Sequence, residues 1–277
     1  VTVIEAIQRS ADFLGRKGVD SPRLQAELLL AHVLQLPRLK LYLQFERSLS
    51  DDEVDRLRAL VKRRGDREPL QHILGSTSFC GIEIAVTPDV LIPRPETELL
   101  AETAWEYLKK RGGEPVVLDY GTGSGCIAIA LAAHCPSAKI HALDVSEKAL
   151  AVARRNAGTH SITFHLGKTF PELPPLDLFV SNPPYIPSGE IASLQPEVAR
   201  FDPRLALDGG ADGLNFYRHI ASEASPLMAP DGCIMLEFGD GQESALREIF
   251  ARDWTIDEFK PDFAGKPRIL IAHRAKK

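Results

Sequence analysis

Beyond Pro95, short runs of β-branched and apolar residues alternate with segments of helical period, an order that confines the chain to a mostly parallel, doubly wound α/β sheet. The pattern predicts a helix over 95–111 closed by Gly112 and Gly113, then strand VVLDY at 116–120, a helix from about 125 and strand KIHAL at 139–143. A helix around 146–157 follows, with strands ITFHL at 162–166 and DLFVS at 177–181. After a proline-rich loop come a helix near 213–227, a Pro230-Asp231-Gly232 turn, strand CIMLEF and a helix over 241–252. Two last runs, WTIDEF and RILIAH, joined by a turn around Gly265, close the sheet as an antiparallel hairpin.

The first 75 residues have a different character. Val3, Ile4, Ile7, Ala11 and Leu14 recur at spacings of three and four until Gly15 and Gly18, and Ser21 with Pro22 opens a second helix as N-cap and first helical residue. Leu24, Leu28, Leu29, Leu30, Val33 and Leu34 make that helix apolar nearly all round, the mark of a bundle centre. Ser50 and Glu53 form a capping box ahead of Val54, Leu57, Leu60 and Val61, and Lys62, Arg63 and Arg64 stand at the negative end of the helix dipole. The expected organisation is therefore a helical domain over 1–75, a β-hairpin linker over 76–94 broken by Pro88 and Asp89, and an α/β domain over 95–277.

Composition narrows the functions open to such a chain. The 277 residues carry 33 Lys and Arg against 38 Asp and Glu, a net charge of −5, which gives no general attraction to a polyanion. No apolar run reaches the roughly 18 to 20 residues a membrane span needs, and VTVIEAIQRSADF lacks the layout of a signal peptide, so a soluble, cytoplasmic protein is expected. Cys80, Cys126, Cys135 and Cys233 form no C-x-x-C pair and the eight histidines show no ligand spacing, so reduced thiols and no metal are expected.

Strand VVLDY runs into Gly121-Thr122-Gly123-Ser124-Gly125 and an apolar helix, the order that brings a glycine loop's backbone amides to a ligand. A dinucleotide fingerprint would need glycine at Cys126, and no Lys-Ser/Thr follows to make a P-loop. Asp119, Gly121, Gly123 and Gly125 instead fall at every second position, a spacing similar to the D/E-x-G-x-G-x-G of S-adenosylmethionine-dependent methyltransferases. Asp144, at the end of the next strand, is placed to accept bonds from both hydroxyls of a ribose. The same residues would also serve as a tight turn followed by an Asp helix cap.

Strand LDLFVS delivers Asn182-Pro183-Pro184-Tyr185 at its carboxyl end, the edge at which open α/β sheets bind ligands. A planar amide or aromatic amino nitrogen is a poor nucleophile because its lone pair is delocalised. Methylating one requires its two N–H bonds to be held, and the Asn182 side-chain oxygen with the Pro183 carbonyl can accept them. The prolines stiffen the loop and Tyr185 can pack on the planar group; alternatively, N-P-P is a plain turn and Tyr185 a half-buried aromatic.

With these motifs in view, the sequence resembles the protein-(glutamine-N5) methyltransferases that act on the Gly-Gly-Gln glutamine of peptide-chain release factors. The resemblance spans nearly the whole chain: the helical start, Gln71 to Gly75, Leu91 to Glu98, the Gly121 loop, Ser181 to Ile186, Phe201 to Leu207 and Gly209 to Leu214. It implies a class I S-adenosylmethionine-dependent methyltransferase fold, Rossmann-like, with an N-terminal all-α bundle that docks the release factor. It implies that Gly121, Thr122, Gly123, Ser124, Gly125 and Asp144 bind S-adenosyl-L-methionine, released as S-adenosyl-L-homocysteine. It further implies that Asn182, Pro183, Pro184 and Tyr185 hold the substrate glutamine, with Asn182 also close to the methyl donor. Separately, a monomer is expected, and the acidic charge leads to the expectation of no direct nucleic-acid contact. Tyr120, Lys168 in Gly167-Lys168-Thr169-Phe170, and Phe238 depart from the family pattern.

Two other functions compete. An adenine-N6 methyltransferase acting on DNA or RNA would use N-P-P-Y equally well on a flipped base, but the acidic charge and the lack of a basic stripe oppose it. A non-catalytic adaptor binding release factors is opposed by the intact Asn182 and glycine loop. Arg94 and Glu96 read either as a functional pair or as an acidic helix start; His141 and His165 read as packed or surface histidines, and Lys62, Arg63, Arg64 and Arg67 as a solvated helix end.

Overall fold

A computed structural model describes residues 1–275 and divides them into two compact units, one of residues 1–76 with 195–201, the other of residues 77–194 and 202 onward. Each unit has its own core.

The first unit contains α1 (Val3–Arg16), α2 (Pro22–Leu34), α3 (Arg38–Leu41), α4 (Asp51–Gly65) and α5 (Leu70–Leu74). Ile7, Leu14, Leu29, Leu30 and Leu41 are among its most deeply buried side chains. The Ser50/Glu53 capping box opens α4 as its sequence predicts, and an equivalent box of Thr2 and Glu5 opens α1. Ser21 holds the N-cap position of α2, but in the left-handed region with φ 47°, so its hydroxyl makes no cap bond. Nor is α2 wholly apolar: Glu27 is buried and accepts from Arg38 at 2.8 Å, Tyr42 at 3.0 Å and Arg23 at 3.2 Å. At the cationic end of α4, Lys62 and Arg63 are exposed, as a solvated helix end has them, but three of its arginines are paired. Arg63 bonds Glu68, while Arg64 and Arg67 each reach Glu197, at 2.7 Å, in a distant stretch of the sequence that belongs to this unit.

From Thr77 the second unit opens within a hairpin of β1 (Ser76–Phe79) and β2 (Ile82–Ala85), whose two turn residues, Cys80 and Gly81, both have positive φ. Phe79, Ile84, Val86 and Val90 pack into the core beneath the sheet, so residues 77–94 are integral to the α/β unit. Then follow α6 (Pro95–Arg111), β3 (Val116–Tyr120), α7 (Cys126–His134), β4 (Lys139–Asp144), α8 (Glu147–Ala157), β5 (Ile162–Leu166) and β6 (Leu176–Ser181). The short α9 (Pro196–Phe201) lies in the helical unit, after which come α10 (Asn215–Glu223), β7 (Met228–Glu237), α11 (Glu243–Phe250), β8 (Trp254–Pro261) and β9 (Pro267–Arg274).

The seven-stranded sheet runs β5-β4-β3-β6-β7-β9-β8, parallel from β5 to β7 and closed by the antiparallel hairpin of β8 and β9. Alternation along each strand feeds two cores. Val117, Leu178, Val180 and Met235 face α6, α7 and α8, whereas Leu118, Phe179, Ile234 and Leu236 face α10 and α11. Pro230-Asp231-Gly232, expected as a turn before the strand, lies inside β7. The register slips there, Leu176 pairing Met228 and Leu178 pairing Cys233, so the extra residues bulge without ending the strand.

Candidate active site

Sheet growth reverses at β3: β4 and β5 extend it to one side, β6 and β7 to the other. The loops leaving β3 and β6 therefore part at their carboxyl ends, and a cavity of about 490 Å³ opens between them. It is lined by Gly121 and Gly123, Asp144, Val145 and Ser146, and Asn182, Pro183 and Pro184. Of the residues singled out in sequence, it thus gathers Gly121, Gly123, Asp144, Asn182, Pro183 and Pro184. Thr122, Ser124, Gly125 and Tyr185 lie outside its lining, each for a visible reason.

Thr122 is buried and donates to Asp119 Oδ2 at 2.6 Å, an oxygen that also accepts the Ala128 amide at 3.2 Å. Ser124 is buried too, and its carbonyl accepts from Asn156, which also brackets Ala85 with bonds in both directions. Gly125 is a packing position: a Cβ there would stand 3.1 Å from Ala153 Cβ and 3.2 Å from Ile129 Cδ1, with φ +83°. The loop amides are largely spent inside the protein. Those of Gly121 and Thr122 donate to the Leu143 carbonyl, Gly123's to Asp144 Oδ2 at 2.9 Å and Gly125's to the Thr122 carbonyl. The expectation that they face a ligand gives way to a loop pinned on the end of β4.

Gly121 and Gly123 differ from Gly125. A Cβ on Gly121 would meet nothing within 4 Å, and one on Gly123 only the Gly121 carbonyl at 4.0 Å, so side chains at either would project into open space on the cavity wall. Asp144 accepts from Gly123 with one oxygen and from the Ser146 amide, at 2.8 Å, with the other; the N-cap of α8 is Ser146, which accepts from Ala149. Each carboxylate oxygen keeps a lone pair for a hydroxyl. Burial pushes the Asp119 carboxyl up to about 7, against the bonds from Thr122 and Ala128, and its Oδ1 is buried with no protein partner.

Asn182 stands where β6 ends. Its Nδ2 donates to Thr97 Oγ1 at 2.9 Å, and Thr97 donates to Glu237 Oε2 at 2.7 Å, at the end of β7. That leaves the side-chain oxygen as the end of the amide that can meet a ligand. Beyond it, the Asn182 to Tyr185 loop rests on the glycine-rich stretch at 209–213. Cβ atoms on Gly209 and Gly213 would strike the carbonyls of Pro184 and Tyr185, and Ile186 exchanges backbone bonds with Leu207 and Gly209. Tyr185 is packed against the α10 and α11 core near Gly239, and burial raises its phenol above the ordinary range.

Arg94 pairs with Asp202 at 2.5 Å rather than with the exposed Glu96. His141 and His165 face each other across β4 and β5, their ring nitrogens 3.0 Å apart, outside the cavity lining; burial pushes both down. At the far end of the cavity, Tyr120 and Lys168 are singled out by the sequence, but Val145, Phe216 and His219 are not. Tyr120, Val145, Leu205, Phe216 and His219 make it an apolar slot, with Phe170 stacked on His219 behind it and Gly167 and Lys168 at its edge. Phe216 and His219 fall three apart on α10, a spacing that could have flagged them. Thr97 and Glu237 were missed as well; an acid closing the apolar run of β7 was their one signal.

A switch-point cavity with a glycine loop on one side, an acid at the neighbouring strand end and an apolar slot is the arrangement of an S-adenosylmethionine-dependent methyltransferase. Residues 5–75 match the PrmC N-terminal domain and residues 96–196 the methyltransferase small domain. A release factor glutamine methyltransferase of Geobacter sulfurreducens is 44% identical over 262 residues, covering 93% of this chain and 91% of the relative. Its counterpart from Chlorobaculum tepidum is 42% identical over 276 residues, 95% and 94% of the two chains. The chain belongs to the release factor glutamine methyltransferase family. Among solved structures, a methyltransferase from Pyrococcus furiosus shares the fold at 20% identity, with a TM-score of 0.51 over 70% of this chain and 90% of that one.

Proposed function

We propose that the protein transfers a methyl group from S-adenosylmethionine to the side-chain amide nitrogen of the glutamine in the Gly-Gly-Gln motif of peptide-chain release factors. The observation that carries this reading is the Asn182 amide, tied by its nitrogen to Thr97 and lining the cavity at the end of β6.

The cavity fits the methyl donor. Its volume suits a nucleoside joined to an amino acid, and Gly121 and Gly123 leave open the wall that any Cβ would crowd. Asp144 would accept the ribose hydroxyls, and the slot between Tyr120, Val145, Leu205 and Phe216 would take the adenine. Bound there, S-adenosylmethionine supplies an electrophilic methyl on a sulfonium and leaves as S-adenosylhomocysteine.

The remaining work falls to the chain. The Asn182 oxygen and the Pro183 carbonyl accept the two N–H bonds of the substrate amide, which holds its plane and turns the nitrogen lone pair toward the donor. Both acceptors carry partial negative charge where the nitrogen becomes cationic. Pro183 and Pro184 hold the loop in an extended form, and the 209–213 stretch supports it from behind. The helical unit would dock the body of the release factor, in an acidic cytoplasmic monomer that needs no nucleic acid.

The test is incubation with methyl-labelled S-adenosylmethionine and a release factor, its Gly-Gly-Ala variant, or DNA. Label on the intact release factor alone is expected. Asn182→Ala should lower its rate by about a hundredfold while cofactor affinity stays within about tenfold, some 1.4 kcal/mol. Label on DNA, or undiminished turnover by Asn182→Ala, would overturn the reading.

A further inference from the structure

Accepting the reading above, we propose that Thr97 and Glu237 are positioning residues that fix which end of the Asn182 amide faces the substrate. The chain runs Asn182 Nδ2 to Thr97 Oγ1, at 2.9 Å, and Thr97 Oγ1 to Glu237 Oε2, at 2.7 Å. Thr97 and Glu237 are both buried.

The two ends of an amide have nearly the same shape and opposite function. Turned over, Asn182 would aim an NH₂ at the substrate's own NH₂, donor against donor, and the pocket would reject the group it is built to hold. Packing alone discriminates poorly between the two orientations, so a hydrogen-bond partner of defined polarity has to do it. A threonine hydroxyl has one hydrogen. While Glu237 is ionised it can only accept, so that hydrogen goes to Glu237 and Thr97 can only accept from Asn182. Protonated, Glu237 can donate to Thr97 instead, which frees the hydroxyl hydrogen for the Asn182 oxygen and reverses the chain.

A buried carboxylate is costly, and here a catalytic orientation depends on it. The groups facing Glu237 are Thr97 and Glu96 from α6, Asn182 and Tyr185 from the loop after β6, Arg268 from β9 and Tyr217 from α10. Burial pushes the carboxyl up to about 7 and Glu96 adds to the rise, while Thr97, Arg268 and Asn182 oppose it. The chain therefore reverses within the ordinary working range of pH, the active polarity lying on the alkaline side.

Full-length Thr97→Val, Thr97→Ser and Glu237→Gln separate orientation from mere support. Against intact release factor, Thr97→Val should lose about tenfold or more in kcat, with KM and calorimetric S-adenosylmethionine affinity within about twofold, and Thr97→Ser should recover most of the loss. The wild-type kcat should fall as pH drops through about 7, and Glu237→Gln should be slow and flat over the same range. Independently of turnover, the ¹⁵N signal of the Asn182 side chain in the cofactor-free protein should titrate with the same midpoint and lose that titration in Glu237→Gln. A Thr97→Val enzyme as fast as wild type, Thr97→Ser no better than Thr97→Val, or an acid limb or titration unchanged in Glu237→Gln would overturn the inference. Absence of wild-type turnover on any release factor would instead strike at the proposed function, leaving the nitrogen titration to judge the hydrogen-bond chain.

Discussion

Arg94 and Asp202, 108 residues apart in sequence, form an ion pair at 2.5 Å that ties the start of α6 to the segment following α9. The Asp202 side chain is 1% exposed and the Arg94 side chain 34%, so the acid depends on a partner that water can partly replace. Burial raises the Asp202 carboxyl to about 6 even so, with Arg94 opposing the rise.

Arg94→Met should therefore cost about 2 kcal/mol, less than a fully enclosed pair would lose. Paired with Asp202→Leu, much of that loss should return, since two apolar groups leave no stranded charge. Urea unfolding of the single and double variants measures both; a double variant less stable than Arg94→Met would contradict the account.

The loop glycines separate by role. Gly125→Ala meets Ala153 and Ile129 in a backbone with φ +83° and should destabilise the fold by about 1–3 kcal/mol. Gly121→Ala shares the positive φ, at +72°, but places its methyl in open cavity, so its distinguishing effect is a loss of about tenfold in S-adenosylmethionine affinity. Thermal melting and calorimetry on both variants should show the larger melting loss at 125 and the larger affinity loss at 121.

Asp119 ties stability to pH in a definite direction. Burial raises its folded carboxyl to about 7, above the ordinary 3.8, so the stabilisation from its bound proton is fully present below about pH 4 and is lost as pH rises through 7. Asp119→Asn removes the titration, and its stability relative to wild type should improve steadily from pH 4 to 7.5. Denaturant midpoints across that range test this, and a parallel pair of curves would contradict it.

Glu197 anchors two arginines of the helical unit, one of them, Arg64, with a side chain 5% exposed. Glu197→Ala should lower the stability of that unit by about 2–3 kcal/mol, read as faster hydrogen exchange in α4. If the unit docks release factor, the same substitution should raise KM for the intact protein substrate and leave S-adenosylmethionine affinity unchanged. An unchanged KM alongside loosened α4 would argue against docking there.

What the sequence disclosed and what it withheld divide along the range of the interactions. The strands from Val116 to Ser181, the Gly121 loop and the capping box at Ser50 are set by neighbours a few residues away, so periodicity and spacing expose them. Asn182 and Asp144 follow from strand ends at a switch point. The bulge at Pro230 to Gly232 depends on pairing with Leu176, and Thr97 meets Glu237 across 140 residues, partnerships no local window contains. Thr122, Ser124 and Gly125 belong to the motif, but in the structure they build the loop rather than line the cavity.

The helical unit is not one continuous stretch of chain: residues 195–201 complete it. During synthesis the first 76 residues emerge well before Glu197, so Arg64 must wait through some 130 further residues for its counter-ion. The N-terminal bundle is born first and finished late, and its last piece arrives only after the Asn182 loop has been made.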